Sequence, residues 1–438
     1  MRLFATLLFC FLSALTTFSQ SINKAKLDSL FHTLSQREVA MGSLTISVNG
    51  KVQYQKAIGY ADVDQKIPAQ ITTRYRVGSV SKMFTSVMIF QLVEEGKLKL
   101  DQKLSQYFPE LPNADQITIS HLLYHRSGLH NYSEGTDFKS WMDKPQTHEQ
   151  MLSIIKGLKP DFEPDAQASY SNTNYLLLSY LIEKIGQIPY AQALTQRITS
   201  KIGLKDTYYG GATDTQKHES ISYKYGEGTW HKEKQTDLSI HSGAGSIIST
   251  PTDLVKFTEA LFNQKLINKA SLNQMTTMKD GYGMGIFPFE FHGKMAYGHN
   301  GRVEEFYSAV RYYREQKMAL AYCTNGILYP RVDILEGIQK ICFNLPYTIP
   351  FSKSLIVTSQ DLDKYVGKYA SDNMPIVVNV SKDNTRLLLE TQGKVFEVEP
   401  IGKNYFMHAQ AGYFFEFIPE KSELLIKETD NVYYLKKK

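Results

Sequence analysis

The chain has 438 residues, 42% of them apolar and 21% charged, so it is long enough for one large domain and a smaller one. These proportions are ordinary for a globular protein. The formal net charge of +5 is spread along the chain, and the one basic run, Lys436 to Lys438, is typical of a solvated tail. The composition therefore gives no support to nucleic acid as a partner.

The N-terminus predicts export. The first two residues, Met1 and Arg2, form a short positively charged N-terminal region. The apolar run from Leu3 to Leu15 that follows has the length of a signal-peptide core but is too short to span a bilayer. We expect cleavage after Ser19, so that residues 1–19 are a signal peptide and the mature protein is periplasmic or secreted. No integral membrane segment is expected after signal removal.

The mature chain keeps two cysteines, Cys323 and Cys342. In an exported protein two cysteines can pair as a disulfide, and isolated buried thiols are an equal alternative. The sequence leaves both readings open, but a count of two argues against a cysteine-based metal site.

Strands are predicted at both ends of a helical middle. We expect, in chain order, a helix over 22–40, a hairpin over 43–62, a helix over 79–95, a mostly helical stretch over 100–270, strands over 294–324 and a final helix over 333–345. The hairpin turns at Asn49-Gly50, a dipeptide typical of tight turns. The helix over 79–95 stops at Gly96, the residue that most readily ends a helix.

The C-terminal segment has a different pattern. From Tyr365 onward, short apolar or alternating runs are separated by Gly, Asn, Asp and Pro, which predicts a small all-β barrel or sandwich. The composition shifts near Pro346 to Pro350. We therefore expect a first domain over 20–350 and a β domain over 356–438.

Ser-x-x-Lys occurs three times, beginning at Ser21, Ser79 and Ser153, so the motif alone carries little weight. Ser79 differs because it follows Gly78 at a strand-to-helix junction and opens a nearly apolar helix. A serine there faces free backbone N–H groups and the positive end of the helix dipole. Lys82 lies one turn on, and burial would lower its pKa so that it can take the serine proton. The alternative is a helix-capping serine beside a solvated lysine.

Two further sequence elements favour a catalytic Ser79–Lys82 pair over a helix-capping serine. Tyr170-Ser171-Asn172 precedes a strongly apolar helix, where the phenol can act as an acid or base if cations depress its pKa and the amide can donate to a substrate carbonyl. His299-Asn300-Gly301 is placed on a strand, where the glycine would let substrate approach the backbone.

The N–H of the next residue, Arg302, can complete an oxyanion hole. A rival His-x-Gly, His241-Ser242-Gly243, continues into a Gly-rich stretch and a helix cap, so we interpret it as a loop.

In this order the three elements resemble the serine β-lactamase and penicillin-binding-protein superfamily. The resemblance is closest to the branch that holds class C β-lactamase-like enzymes, esterases, D-aminopeptidases and D-alanyl-D-alanine carboxypeptidases, and it covers about residues 25–345. The segment from about 356 resembles a lipocalin-like module. Together these imply a mixed α/β (α+β) fold, with an antiparallel sheet flanked by helices, a mostly helical subdomain and a small C-terminal all-β barrel.

The resemblance also implies the role of each residue. Ser79 is the acylated nucleophile, Lys82 and Tyr170 share the proton transfers, and the backbone N–H groups of Ser79 and Arg302 form the oxyanion hole. The substrate-binding residues that it implies are Asn172, His299, Asn300, Gly301 and Arg302. No cofactor and no metal are expected.

One departure from the family pattern concerns the third element. No Lys-Thr-Gly occurs in the chain, so a titratable His299 replaces the cation that would hold a β-lactam or peptide carboxylate. This weakens the β-lactamase interpretation and leaves the substrate class open.

The function predicted is an exported serine acyl hydrolase that works through an acyl-enzyme. Its substrate would be an ester, a D-amino-acid peptide or amide, or a β-lactam-like compound, cell-wall fragments included. One alternative is a catalytically weak relative that binds peptidoglycan or peptide ligands. A second and less favoured alternative is a metal-dependent hydrolase, because His121 and His125 lie one helical turn apart near His130. Nothing in the pattern predicts an oligomeric state.

Overall fold

The computed structural model describes residues 22–351, 357–429 and 431–438. The predicted signal peptide, residues 1–19, lies outside these ranges. Within them, no helix combines the length and the apolar character that a membrane crossing requires.

The helices of the described chain begin near the predicted positions. In chain order they are α1 Lys24–Gln36, α2 Ser81–Glu94, α3 Ile119–Leu123, α4 Phe138–Trp141, α5 His148–Gly157, α6 Asn172–Gly186, α7 Tyr190–Leu194, α8 Ser200–Ile202, α9 Ser242–Gly245, α10 Pro251–Phe262, α11 Lys269–Thr276, α12 Arg331–Cys342 and α13 Ser359–Leu362. Most of them lie between residues 119 and 276, as the pattern predicted.

The strands fall into two main groups. In the first domain they are β1 Ala40–Val48, β2 Lys51–Ile58, β3 Tyr60–Asp62, β4 Ile67–Pro68, β5 Tyr75–Arg76, β6 Tyr208–Tyr209, β7 Tyr223–Gly226, β8 Thr229–Lys232, β9 Ile247–Ser249, β10 Phe287–Phe291, β11 Lys294–Val303, β12 Phe306–Tyr313 and β13 Met318–Ile327. In the C-terminal domain they are β14 Gly367–Ala370, β15 Val377–Asp383, β16 Arg386–Thr391, β17 Lys394–Gly402, β18 Tyr405–His408, β19 Tyr413–Ile418, β20 Glu423–Lys427 and β21 Val432–Lys437.

The main sheet is antiparallel and runs β10-β11-β12-β13-β1-β2 through the described residues. Its two faces alternate along each strand, as the pleat requires. On β13, Leu320 and Tyr322 pack with α1 and α12, whereas Ala321 and Cys323 face α10 and the helical subdomain. The predicted antiparallel sheet flanked by helices is therefore confirmed.

The β1–β2 hairpin confirms the predicted turn. Asn49 and Gly50 have φ of 52° and 75°, the left-handed conformation that this two-residue loop needs and that Asn and Gly tolerate best. The hairpin places the N-terminal strand β1 directly beside β13, near the end of the first domain.

Helix α2 is the central helix of the helical subdomain. Every residue from Ser81 to Leu92 is buried, which agrees with a sequence that is apolar all round. The helix starts at Ser81 rather than Ser79. The preceding Gly78–Val80 forms a short 3₁₀ turn, so Ser79 lies just outside the α-helix.

The C-terminal strands β14 to β21 close into a barrel, and the prediction of a small all-β barrel is confirmed. The barrel packs on the first domain through aromatic contacts. The ring of Tyr329 meets the edge of Phe414 with centroids 5.2 Å apart. Residues 352–356, between the two predicted domains, lie outside the described ranges, and the domain limits remain predictions.

A buried ion pair joins the two parts. Lys427 on β20 and Asp333 on α12 are both 7% exposed, and their charged atoms lie 2.7 Å apart. The Tyr405 hydroxyl donates to the same carboxylate, and Lys427 also contacts Glu416 at 2.7 Å. The neighbouring carboxylates raise the pKa of Lys427 against the opposing effect of burial.

The two cysteines are separate buried thiols. Cys323 lies on the sheet face toward α10, and Cys342 lies in the cluster formed by α1, α12 and the other face. Burial raises the pKa of Cys342 to about 12, and that of Cys323 also rises. Both thiols therefore act as small apolar side chains.

We predict that Lys427→Met destabilises the full chain by about 3 kcal/mol, because it leaves the Asp333 carboxylate buried without its cation. Denaturant unfolding of the two proteins measures the difference. The matched control is Lys436→Met on the same barrel, since Lys436 is 64% exposed and its ion pair with Asp372 spans 3.6 Å. That change should cost below about 1 kcal/mol. Equal losses of unfolding free energy in both variants would contradict the conclusion that the buried Lys427–Asp333 pair stabilises the chain.

Candidate active site

Ser79 stands on a turn that is fixed from two sides. The N–H of Val77 donates to the Ile247 carbonyl at 3.0 Å, and the Val77 carbonyl accepts from the Ser308 hydroxyl at 2.7 Å. Gly78 has φ of 51°, and a Cβ there would lie 2.7 Å from the backbone nitrogen of Arg302. The turn thus packs directly on β11, and Ser79 is half-buried between two fully buried neighbours.

Lys82 is completely buried beside Ser79. Its Nζ lies 3.0 Å from Ser79 Oγ. It lies 2.8 Å from Asn172 Oδ1 and 2.8 Å from the Ala244 carbonyl oxygen. Among the described residues no carboxylate forms an ion pair with it, and burial lowers its pKa well below the ordinary value.

These contacts fit both protonation states of the lysine. An ammonium donates to all three oxygens. An uncharged amine, which burial favours, donates to the Asn172 and Ala244 oxygens and presents its lone pair to the Ser79 hydroxyl, which then donates to it. The arrangement favours a lysine able to accept the serine proton.

Tyr170 lies at the end of the loop before α6 and contacts Lys82. The Nζ of Lys82 is 4.8 Å from the centre of its ring. Burial raises the pKa of Tyr170, and hydrogen bonding to Ser79 only partly opposes that rise. The condition that cations depress this pKa is therefore not met, because the effect of burial on the phenol is larger. Tyr170 is a protonated phenol, suited to donating a proton.

Asn172 is the first residue of α6 and orients Lys82. Its Nδ2 donates to Ser133 Oγ at 3.0 Å, and Ser133 in turn donates to Asn131 Oδ1. This chain of donors fixes the Asn172 oxygen toward Lys82. One N–H of the amide is left for a substrate, so the predicted substrate contact stays a prediction.

His299 on β11 is 3% exposed and borders the same cavity. Its Nδ1 meets the carbonyl of Asn300, so in the neutral ring Nδ1–H donates and Nε2 is an acceptor. Nε2 is buried without a hydrogen-bond partner among the described residues. Burial first, and the neighbouring Lys82 and Arg311 next, lower the pKa of His299 to about 3. The ring is thus neutral near pH 7 and does not replace a cation.

Gly301 has a structural reason beside the predicted one. A Cβ at this position would lie 2.0 Å from the Val77 carbonyl oxygen and 2.3 Å from Ser308 Oγ. The missing side chain lets β11 pack against the turn that carries Ser79. Gly301 also borders the cavity, and the approach of substrate to its backbone stays a prediction.

Asn300 and Arg302 line the cavity. The Asn300 Oδ1 accepts from buried Arg311 at 2.8 Å, and burial lowers the pKa of this guanidinium to about 9. The Arg302 side chain is 54% exposed and lies 3.2 Å from Glu305. Together with Ser79, the residues from His299 to Arg302 and two phenylalanines, Phe287 and Phe289, border a cavity of about 300 Å³.

The rival motif at His241, which we interpreted as a loop, instead begins the short helix α9. A Cβ on Gly243 would come within 3.0 Å of Ser179 and Thr85, so the segment packs tightly between α2 and α6. It is not the third element, but its Ala244 carbonyl holds Lys82. Sequence reasoning missed this contact because a backbone carbonyl has no residue-type signal.

His125, which the sequence offered only as a candidate metal ligand, also contributes to the site. Its ring stacks on Tyr170 with centroids 4.4 Å apart, and its Nδ1 accepts the Ser171 N–H at 3.1 Å. It therefore positions the loop before α6. In the part of the chain that the structure describes, no three His, Cys, Asp or Glu side chains are grouped as a metal ion would need.

The fold and this set of side chains define a serine hydrolase-type site on a β-lactamase-like fold. Residues 27–333 match the Beta-lactamase family, and because this span is well over half of the sequence, the chain belongs to that family. It therefore lies within the serine β-lactamase and penicillin-binding-protein superfamily that the motifs resembled.

Particular relatives agree with this placement. The chain is 28% identical to a penicillin-binding protein of Bacillus subtilis (strain 168) over 88% of this chain and 91% of the relative. It is 26% identical to the teichoic acid D-alanine hydrolase of Staphylococcus aureus (strain NCTC 8325 / PS 47), over 63% of this chain and 70% of that protein.

Solved structures show the same fold. The D-amino acid amidase from Ochrobactrum anthropi SV3 has a TM-score of 0.66 at 25% identity, over 73% of this chain and 99% of the amidase. The octameric penicillin-binding protein homologue from Pyrococcus abyssi has a TM-score of 0.67 at 21% identity. That match covers 94% of this chain and 99% of the other, so the likeness of fold includes the barrel.

We predict that Asn172→Asp moves the rising limb of the pH–rate profile upward by about 1 to 3 pH units, because a carboxylate beside Lys82 favours the ammonium. The measurement is kcat/KM for p-nitrophenyl acetate between pH 5 and 10. In the starting protein, kcat/KM should rise with pH as Lys82 loses its proton, with a midpoint well below 10.5.

His299→Gln is the matched control, since a ring with a pKa of about 3 is already neutral over this range. This change should not move the rising limb of the pH–rate profile along the pH axis, even if it alters the rate itself. A limb that moves in His299→Gln but not in Asn172→Asp would assign the titrating base to His299.

Proposed function

We propose that the protein is an exported serine acyl hydrolase that works through an acyl-enzyme on Ser79. The observation that carries the proposal is the 3.0 Å contact between Ser79 Oγ and the Nζ of a wholly buried Lys82 that lacks a carboxylate partner among the described residues. Membership of the Beta-lactamase family supports it.

The groups present account for acylation. As Ser79 Oγ bonds to the substrate carbonyl carbon, Lys82 takes the hydroxyl proton. The carbonyl oxygen becomes an oxyanion, for which we assign the backbone N–H groups of Ser79 and Arg302. Tyr170 then gives its proton to the leaving amine or alcohol and is reprotonated through Lys82. The C–N or C–O bond breaks, and the acyl group stays on Ser79.

Deacylation follows the same path in reverse. A water molecule loses its proton to Lys82 and adds to the ester carbonyl, and Lys82 returns this proton to Ser79 Oγ as the acid leaves. Because the protons pass among three groups within contact of one another, their titrations are coupled.

For the substrate we propose amides, esters or short peptides of D-amino acids. Two relatives bear D-alanine hydrolase and D-amino acid amidase names. The neutral Nε2 of His299 supports this choice, since it can accept a hydrogen bond from a substrate N–H but cannot pair with a carboxylate. Phe287 and Phe289 give the cavity an apolar wall for a side chain.

The proposal includes export and periplasmic or secreted location, for which the support is the predicted signal peptide over 1–19. Small molecules or short peptides are the partners, fragments of cell wall among them. We do not assign a nucleic-acid partner.

A fluorophosphonate probe tests the nucleophile. We expect it to label the wild-type chain and Ser153→Ala equally and to leave Ser79→Ala unlabelled. Ser153 is the matched control because it opens another Ser-x-x-Lys, with both side chains exposed on α5. If the wild type is not labelled and hydrolyses no ester, the catalytically weak, ligand-binding alternative replaces the hydrolase.

A substrate panel tests the acyl group. We predict that D-phenylalanine amide has a kcat/KM at least about tenfold above that of L-phenylalanine amide and of a chromogenic β-lactam, since His299, which stands in the place of the third-element lysine, is neutral. The Ser79→Ala variant supplies the background rate. Faster turnover of the β-lactam than of any D-amino-acid derivative would reverse the substrate assignment and leave the nucleophile assignment intact.

A further inference from the structure

A second buried ion pair connects the turn that carries Ser79 to strand β11. Arg76 of β5 comes three residues before the nucleophile, and Glu304 comes two residues after Arg302, in the turn between β11 and β12. The Arg76 Nη1 donates to the Glu304 carboxylate at 3.0 Å, and both side chains are only 2% exposed. The pair therefore joins the two segments whose backbone N–H groups we assigned to the oxyanion hole.

Other groups fix both members of the pair. Glu304 Oε1 accepts the Thr236 N–H at 2.7 Å, and the Thr236 carbonyl oxygen accepts from Arg76 Nη1 at 2.8 Å. The other terminal nitrogen of the guanidinium, Nη2, donates to the Gly211 carbonyl oxygen at 3.0 Å and to Gln235 Oε1 at 3.3 Å. The guanidinium and the carboxylate are thus held in one orientation, and so is the turn that carries Glu304.

The pair is poorly suited to stabilising the fold alone. Arg76 Nε and Glu304 Oε2 are buried without a hydrogen-bond partner among the described residues. Replacing a buried ion pair by apolar side chains of similar volume often leaves a protein equally or more stable. Unsatisfied buried atoms add a further cost, which calls for another explanation of the pair.

The backbone segments beside the pair are in direct contact. A Cβ on Gly78 would lie 2.7 Å from the backbone nitrogen of Arg302. The Val77 carbonyl oxygen accepts from the Ser308 hydroxyl at 2.7 Å, a contact that comes from β12. The contact of Glu304 comes instead from the turn directly after β11. It is therefore the one nearer in sequence to the Arg302 N–H.

We infer that Arg76 and Glu304 are positioning residues of the proposed oxyanion hole. Their ion pair sets the distance between the two backbone N–H donors, on Ser79 and Arg302. Neither Arg76 nor Glu304 borders the cavity at the nucleophile. Donors stabilise an oxyanion best when they are fixed before the charge develops, so a shift of one donor slows acylation while the base Lys82 is unchanged. The inference rests on the proposed function, because it concerns the oxyanion hole assigned there.

Two substitutions of Glu304 test the reach of its side chain. Glutamine can still accept from Arg76 and from the Thr236 N–H, whereas asparagine is one methylene shorter and cannot reach them. Both amides are neutral, and the φ of 45° at this position is one that asparagine adopts readily. We expect Glu304→Asn to lower kcat/KM for p-nitrophenyl acetate at least about tenfold and Glu304→Gln to stay within about threefold of the wild type.

The rates are divided by the number of sites that a fluorophosphonate probe labels at completion, so that a loss of folded protein does not count as a loss of rate. In Glu304→Asn the rising limb of the pH–rate profile should keep its position, because Lys82 is unaltered.

Arg74→Met is the matched control for the loss of an ion pair. Arg74 lies just before β5, and its Nη2 is 2.5 Å from Asp206, which precedes β6 and is not part of the β11–β12 turn. We expect this variant to keep kcat/KM per labelled site within about threefold of the wild type.

Several results would overturn the inference. Equal rates per labelled site in Glu304→Asn and the wild type would do so, and so would an equal fall in Glu304→Gln or in Arg74→Met. A moved limb in Glu304→Asn would assign the effect to the base Lys82 and not to the oxyanion hole.

Failure of the proposed function gives a different result. In that case the wild type itself is neither labelled nor active. An active, labelled wild type beside an unimpaired Glu304→Asn removes the positioning role alone.

Discussion

The site depends on one constraint, the burial of Lys82 without a counterion. A charged ammonium in this position would be costly, and the fold supplies acceptor oxygens from Asn172 and Ala244 in place of a carboxylate. Burial therefore favours the uncharged lysine, whose lone pair can face Ser79. Burial also raises the pKa of Tyr170 and so favours its protonated phenol. The same cause, the loss of hydration, thus acts on both groups.

Much of the site could be predicted from the sequence. Ser79 was distinguished from Ser21 and Ser153 by its strand-to-helix junction, and the order of the three motifs narrowed the chemistry. The side chains at Lys82, Tyr170, Asn172 and His299 do converge. What the sequence could not give was the sign of two pKa shifts, since burial of Tyr170 and His299 depends on neighbours distant in the chain.

The contacts that the sequence missed are made mainly by backbone or by residues with ordinary local roles. Ala244 acts through its carbonyl, and His125 acts by stacking under Tyr170. The packing of Gly301 against the Ser79 turn was missed for a related reason. A glycine on a strand signals a close approach, but the pattern does not tell whether substrate or another stretch of backbone approaches.

The sequence predicted the fold best where a hydrophobic pattern or a turn signal extended over a whole element. The β1–β2 hairpin, the buried α2 and the C-terminal barrel all carried clear periodicity or turn signals. The start of α2 was misplaced by two residues because the 3₁₀ turn over Gly78–Val80 continues the same helical pattern. The docking of the barrel through Lys427 and Asp333 had no signal, since ionic residues are usually assigned to the surface.

The close contact between the turn at Gly78 and strand β11 has a consequence during synthesis. Val77 and Ser308, which hold the turn, are 231 positions apart, and β1 lies between β2 and the late strand β13. A nascent or translocating chain that lacks these strands cannot support Ser79. The surroundings of Ser79 are thus complete only when the first domain is complete, and under the proposed function a partly made chain would be inert toward esters and amides.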